Sequence, residues 1–151
     1  MEEQNQENIL LKRANHIINR HMLWGMAAAS FPVHVIDTLG LIFIQNDMLR
    51  QLCDIYEFDY DKNIGKSIVS SIISSTTAKG VSFIFGKDRL LNRTAFILFA
   101  GAFTYAMGRM FISYFEKGIS LIDIDFKKGE ELFDEYFDRG MEKAKETKKT
   151  K

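Results

Sequence analysis

NRTAFILFAGAFTYAMGRMFISYFE, residues 92–116, is the stretch whose reading decides the fold. It holds no proline, and 94–108 holds no charged residue, so a helix over it is apolar on nearly every face. Such a helix is enclosed by protein or by lipid. It should begin near Asn92 or Thr94 and run to Glu116, with Gly118 as its stop. Ala100, Thr104 and Gly108 recur at steps of four, with Ala102 and Ala106 beside them. That spacing lets a second helix approach closely, in a bilayer or in a soluble core. The uncharged run is shorter than the ~20 residues of a spanning helix. Extending it brings in Arg109, at about 2.5–3.5 kcal/mol if placed mid-bilayer. A second uncharged run, 21–36 with neutral histidines, is interrupted by Pro32 and followed by Asp37, which carries the same cost. Insertion is marginal on these numbers. A soluble bundle with buried helices and a helical hairpin in the membrane both fit. Arg109 either snorkels to the surface or is a buried cation paired with Asp37, Asp47 or Glu116, fixing helix register.

Outward from this segment, the pattern stays helical. Residues 8–30 carry a stripe of Ile9, Leu10, Ile17, Ile18, Met22 and Gly25, ending at GMAAASFP, where Pro32 turns Phe31 out of the helix. Residues 34–56 repeat Ile36, Leu41, Ile44, Met48, Leu52 and Ile55 at three- and four-residue steps. KNIGKSIVSSIISSTTAKG, 62–80, places Ile64, Ile68, Ile72 and Ile73 on one side, with Asp59 or Asp61 able to cap it. VSFIFGKDRL, 81–90, reads as a short apolar connector bracketed by Gly80 and Gly86. Asp125 can cap a last, amphipathic helix with Phe126, Phe133, Phe137, Met141 and Ala144 on one face and Glu130, Glu131, Asp134, Glu135 and Asp138 mainly elsewhere. The fold expected is all-α: a compact antiparallel bundle of about five helices, two of them long and apolar. One helical domain, 8–144, would lie between a polar tail, 1–7, and a disordered basic tail, 145–151.

Twenty basic and twenty acidic side chains balance formally, which removes any global electrostatic case for nucleic acid. Cys53 is the one cysteine and sits on an apolar stripe, as a packing thiol in a reducing compartment would. Gly65-Lys66-Ser67 resembles the end of a phosphate loop, but Tyr60 stands where the first glycine belongs and Asp61 would meet the anion. The triplet is a helix's first turn with an exposed lysine. His16 and His21 are five apart and so do not share a face as paired metal ligands would, and His34 lies in the turn; solvated or core histidines are the simpler reading. Asp123 and Asp125 could do acid–base work, yet capping explains Asp125. Trp24 reads as a core or interfacial anchor. No catalytic residue, cofactor or metal is indicated.

Two further segments carry a family resemblance. PVHVIDTLGLIFIQNDMLRQLCDIY resembles the P-x-x-x-x-D…Q-x-x-M…I-Y stretch of the YcjF-type family, domain of unknown function 697. AFTYAMGRMFISYFEKGISLIDID is similar to its second hallmark, T-Y-A-x-G-R, then F, then G-x-x-x-x-D. The resemblance as a whole spans about residues 14–138, most of the chain. One departure is Glu57, where the family carries Gly after the Tyr. The resemblance implies a helical module of the bacterial inner membrane or its cytoplasmic face, without catalytic residues, acting with a GTPase on a separate chain. It marks Pro32, Asp37, Gln45, Tyr105, Gly108 and Arg109 as structural or partner-contact positions. On that reading the amphipathic helix and Lys143, Lys145, Lys148, Lys149 and Lys151 would lie at the cytoplasmic face, against anionic headgroups. A soluble, cytoplasmic adaptor that binds a GTPase, or self-assembles through its small-residue helix faces, is the alternative.

Overall fold

A computed structural model describes residues 1–30, 34–85 and 93–149, with side chains apart from those of 34–39, 74–85 and 126. Among these residues there are five α-helices and no strand: α1 (Glu2–Ala29), α2 (His34–Ile55), α3 (Lys62–Phe85), α4 (Arg93–Glu116) and α5 (Phe126–Lys149), with a 3₁₀ turn at Leu121–Asp123 before α5. The all-α expectation holds. Each of the first three helices buries one face at helical spacing. In α1 this face is Ala14, Ile17, Ile18, His21, Met22, Gly25, Met26 and Ala29. In α2 it is Leu41, Ile44, Gln45, Met48, Leu49, Leu52 and Cys53, and in α3 Ile68, Val69, Ile72 and Ile73.

The ends follow local chemistry. Asp61 Oδ1 accepts from the backbone N–H of Asn63 at 2.8 Å and Ile64 at 2.9 Å, so Asp61 caps α3. Asp125 Oδ1 accepts from Lys127 N–H at 3.0 Å and so caps α5. Gly118 stops α4 at φ +73, with Ile119 N–H bonded to Tyr114 C=O at 3.0 Å and Gly118 N–H to Phe115 C=O at 2.9 Å. The same geometry ends α2 without a glycine. Glu57 takes φ +59, Phe58 N–H reaches Cys53 C=O at 2.9 Å, and the Phe58 ring stacks on Phe115 at 4.9 Å. Glu57 therefore leaves the helix stop in place and puts a side chain in a left-handed conformation.

Three helix boundaries and one burial expectation differ from the sequence reading. Residues 2–7 belong to α1 rather than to a tail, with Glu2 and Glu3 in the first turn, where the helix dipole favours acids. Residues 145–149 belong to α5 rather than to a disordered tail. Residues 81–85 are the last turn of α3 rather than a connector; 86–90 lie outside the described residues. Ile9, read as part of the buried stripe, is 51% exposed, on an open groove it shares with Ile55, Tyr56 and Glu57.

α4 is the centre of the bundle. Phe103, Ala106, Met107 and Phe111 are fully buried, and α1, α2, α3 and α5 all touch it. Burying a side chain of that size is worth about 1.5–3 kcal/mol. α1 and α5 run antiparallel to α4. Position 18 meets 108 and 26 meets 101 on one side, while the rings of 133 and 137 meet those of 103 and 99 on the other. α4 alone, among described helices, is long and apolar enough to cross a membrane, and 72% of its most apolar window is buried inside the bundle. Of the two uncharged runs, only 94–108 lies within one helix; 21–36 is divided between α1 and α2.

Candidate functional site

The polar groups that the sequence places among apolar residues converge on the seams between α1, α2 and α4. Ala100 and Thr104 face α1, where a Cβ on Gly25 would lie 2.9 Å from Thr104 Oγ1. One turn on, a Cβ on Gly108 would lie 2.5 Å from Ile18 Cγ1, so only glycine lets the two helices meet here. The small-residue stripe is thus occupied by this chain's own α1. A homo-oligomer through it would require α1 to move away.

Gln45, fully buried on α2, donates from Nε2 to Thr104 Oγ1 at 2.8 Å, and Thr104 donates to Ala100 C=O at 2.8 Å. Gln45 Oε1 is buried without a partner among the described residues. Two residues further along α2, Asp47 anchors a second polar cluster. His21 is fully buried; its Nδ1 lies 2.7 Å from Ile17 C=O and its Nε2 2.8 Å from Asp47 Oδ2. Both ring nitrogens thus face oxygen acceptors. Asp47 also receives Arg50 at 2.8 Å and Gln51 Nε2 at 2.8 Å, and Arg20 of α1 donates to Gln51 Oε1. Burial works to raise the Asp47 carboxyl, but hydrogen bonds from Arg50 and His21, with their charges, outweigh it and hold it below its ordinary value. The cluster clasps α1 to α2.

Arg109 differs from both sequence readings. Among the described side chains it neither snorkels free nor pairs with Asp47 or Glu116; the side chain of Asp37 lies outside them. Half-buried, it donates from Nη1 to Asn15 Oδ1 at 3.0 Å and lies 5.3 Å from the centre of the Tyr136 ring, joining α4 to α1 and α5. Two features explain this: Asp47 is already engaged by His21 and Arg50, and Arg109 faces the α1–α5 side of α4. Arg109 Nε is buried without a partner among the described residues. Beside it, Lys143 of α5 lies over the Tyr105 ring at 5.2 Å, and burial, then the nearby Arg109, push its ammonium below its ordinary value.

Of the six positions marked by the resemblance, Gln45, Tyr105, Gly108 and Arg109 all sit on interhelical contacts; Pro32 and the side chain of Asp37 lie outside the described residues. His21 was classed among ordinary histidines, and it is a core histidine with an acidic partner. Its signal was its place four residues after Ile17 and beside Met22 on the buried stripe. Cys53 is fully buried, and burial, aided by Asp54, pushes its thiol up to about 12, which fits packing rather than reactivity. Lys66 of the phosphate-loop look-alike is exposed on α3, and Gly65 packs under the Tyr60 ring. Asp123 accepts from Ser120 Oγ at 2.8 Å across the 3₁₀ turn.

No family model matches the chain, and no solved structure does. Among curated proteins the chain is similar to magnetosome membrane protein 22 of Magnetospirillum gryphiswaldense, at 24% identity over 147 residues, covering 91% of this chain and 75% of that one.

Proposed function

We propose that this chain is a non-enzymatic, membrane-associated helical module. The observation that carries the reading is its likeness, along nearly its whole length, to a protein described as belonging to the magnetosome membrane. The non-enzymatic part is supported by the use of the interior polar groups: His21, Gln45, Thr104 and Arg109 each bond to another helix, and Asp47, at the edge of a groove with Arg50 and Tyr60, is engaged by His21 of α1. A bacterial inner membrane or its cytoplasmic face is the proposed location. Kinship with the YcjF-type family and a separate GTPase partner extend the proposal; both rest on the hallmark residues alone.

One observation favours a second reading, a soluble adaptor. The apolar surface of α4 is largely spent inside the bundle, so no bilayer is needed to cover it. Fractionation of native cells at physiological salt separates the two. The first reading expects the protein in the membrane pellet; recovery in the supernatant sinks it and leaves the adaptor.

A further inference from the structure

The chain is formally neutral, yet α1 and α5 carry opposite charge on their solvent sides. From Asn8 to Ala29, α1 has Lys12, Arg13 and Arg20 and no acid. From Gly129 to Glu142, α5 has six acids against Arg139, which Glu135 and the Tyr136 ring hold on the same helix. Because α1 and α5 pack on different sides of α4, one molecule cannot lay these two faces together.

Both faces repeat at the three- and four-residue steps of a helix-pairing stripe. On α1 the positions Glu2, Gln6, Ile9, Arg13, His16 and Arg20 lead to Leu23. On α5 Lys128, Glu131, Glu135, Asp138, Glu142 and Lys145 lead to Lys149. All are exposed except Arg20, which is half-buried and reaches Gln51. The α1 side is more than a solvated face. Apart from Met1, three of the five exposed large hydrophobics among the described residues lie on it: Ile9, Leu23 and Trp24. Each stripe is about 31 Å long, at ~1.5 Å per residue.

Charge decides how the stripes fit. With Arg13 set against Asp138 and the helices antiparallel, Glu2 faces Lys149, His16 faces Glu135, Arg20 faces Glu131 and Leu23 faces Lys128. The same stepping sets Gln6 against Lys145 and Ile9 against Glu142, and no like charges meet along the stripe. The parallel sense fails, because the same anchor sets Arg20 against Lys145. Glu135 and Glu142 bond Arg139 and Lys145 on their own helix, in exposed pairs that cost little to share.

We propose that the outer face of α1 receives the outer face of α5 from a second copy of this chain, antiparallel and in this register. The contact is heterologous. Each copy offers one α1 and one α5, so association continues into a ring or a filament. The surface is distinct from the small-residue stripe of α4, which α1 fills, and it is independent of the membrane reading. Exposed charge pairs make the contact weak and salt-dependent.

Sedimentation velocity of the full chain at about 100 μM, a concentration suited to a weak complex, tests this. Oligomers larger than a dimer are expected near 0.01 M salt, where the screening length is ~30 Å, and their loss at about 0.5 M. Lys12→Glu/Arg13→Glu and Glu131→Lys/Asp138→Lys change only exposed side chains, and each should weaken association at least about tenfold. An equimolar mixture of the two variants should associate again, because the reversed α1 then meets a reversed α5. The register is read by mild oxidation. His16→Cys/Glu135→Cys should give a ladder of disulfide-linked oligomers, and His16→Cys/Lys145→Cys should not, because those positions lie too far apart to bridge.

A native chain that stays monomeric at low salt overturns the proposal, as does association that high salt leaves intact. Unchanged association of either reversed variant, or no recovery in the mixture, overturns the pairing of these faces. Equal cross-linking of the two cysteine pairs overturns the register. A monomeric chain that binds phosphatidylglycerol vesicles through Lys12 and Arg13 assigns the α1 face to a lipid surface instead.

Discussion

His21 and Arg109 both tie α1 to a neighbouring helix through nitrogen donors, yet their settings differ. His21 is fully buried and both of its ring nitrogens are matched, by Ile17 C=O and by Asp47. Arg109 is half-buried, bonds the neutral Asn15, rests on Tyr136 and leaves Nε unpartnered. A donor that is enclosed and fully matched is costly to disturb, because loss of one partner strands the other out of water. One that is partly wet and incompletely matched can be replaced at small cost. The more conspicuous residue in the sequence is therefore the less consequential for stability.

That contrast can be broken directly. Asp47→Asn removes the carboxylate facing His21 and should cost about 3 kcal/mol in urea unfolding, the low end for a broken buried pair because Asp47 keeps some solvent contact. For a domain of this size the thermal midpoint should fall by roughly 10 °C. A loss under about 1 kcal/mol would mean that the clasp is not a special point of the fold.

Acid probes the same pair without mutation. The folded-state pKa of Asp47 lies below its ordinary 3.8, so as pH falls the unfolded chain takes up that proton first. The contribution is intact above about pH 4 and is lost as pH drops through the folded-state value. Denaturation midpoints measured across this window should fall more steeply in the native chain than in Asp47→Asn; equal slopes would contradict the assignment.

Glu57→Gly should work in the opposite direction. It relieves a left-handed conformation at the end of α2 and is expected to raise stability by about 1 kcal/mol. Because the stop is already formed, circular dichroism should show unchanged helix content. This background also offers margin for measuring the smallest effect. Arg109→Met loses one hydrogen bond and one ring contact but removes an unpartnered buried N–H, so the change should stay within about 1 kcal/mol. A loss of about 3 kcal/mol there would erase the contrast with His21.

Much of the fold was legible in local chemistry. Asp61, Asp125 and Gly118 each satisfy or terminate backbone groups within a few residues of themselves, so their roles were readable before any packing was known. The long apolar run of α4 and the stripes of α2 and α3 followed from spacing. The candidate site was less legible. Gln45 and Arg109 were singled out, but their partners, Thr104 and Asn15, lie 59 and 94 residues away. The acid that completes His21 is 26 residues away on another helix.

Local sequence alone therefore determined that the chain is helical, roughly where the middle helices turn, and that α4 must be shielded on most sides. It left open whether lipid or protein provides that shield, since both present the same apolar contact to a side chain. Only the tertiary structure decided that α1, α2 and α5 enclose α4. It also matched a histidine to a distant acid. Those outcomes depend on which helices lie side by side and in which direction, a property of the packed bundle that helical periodicity does not encode.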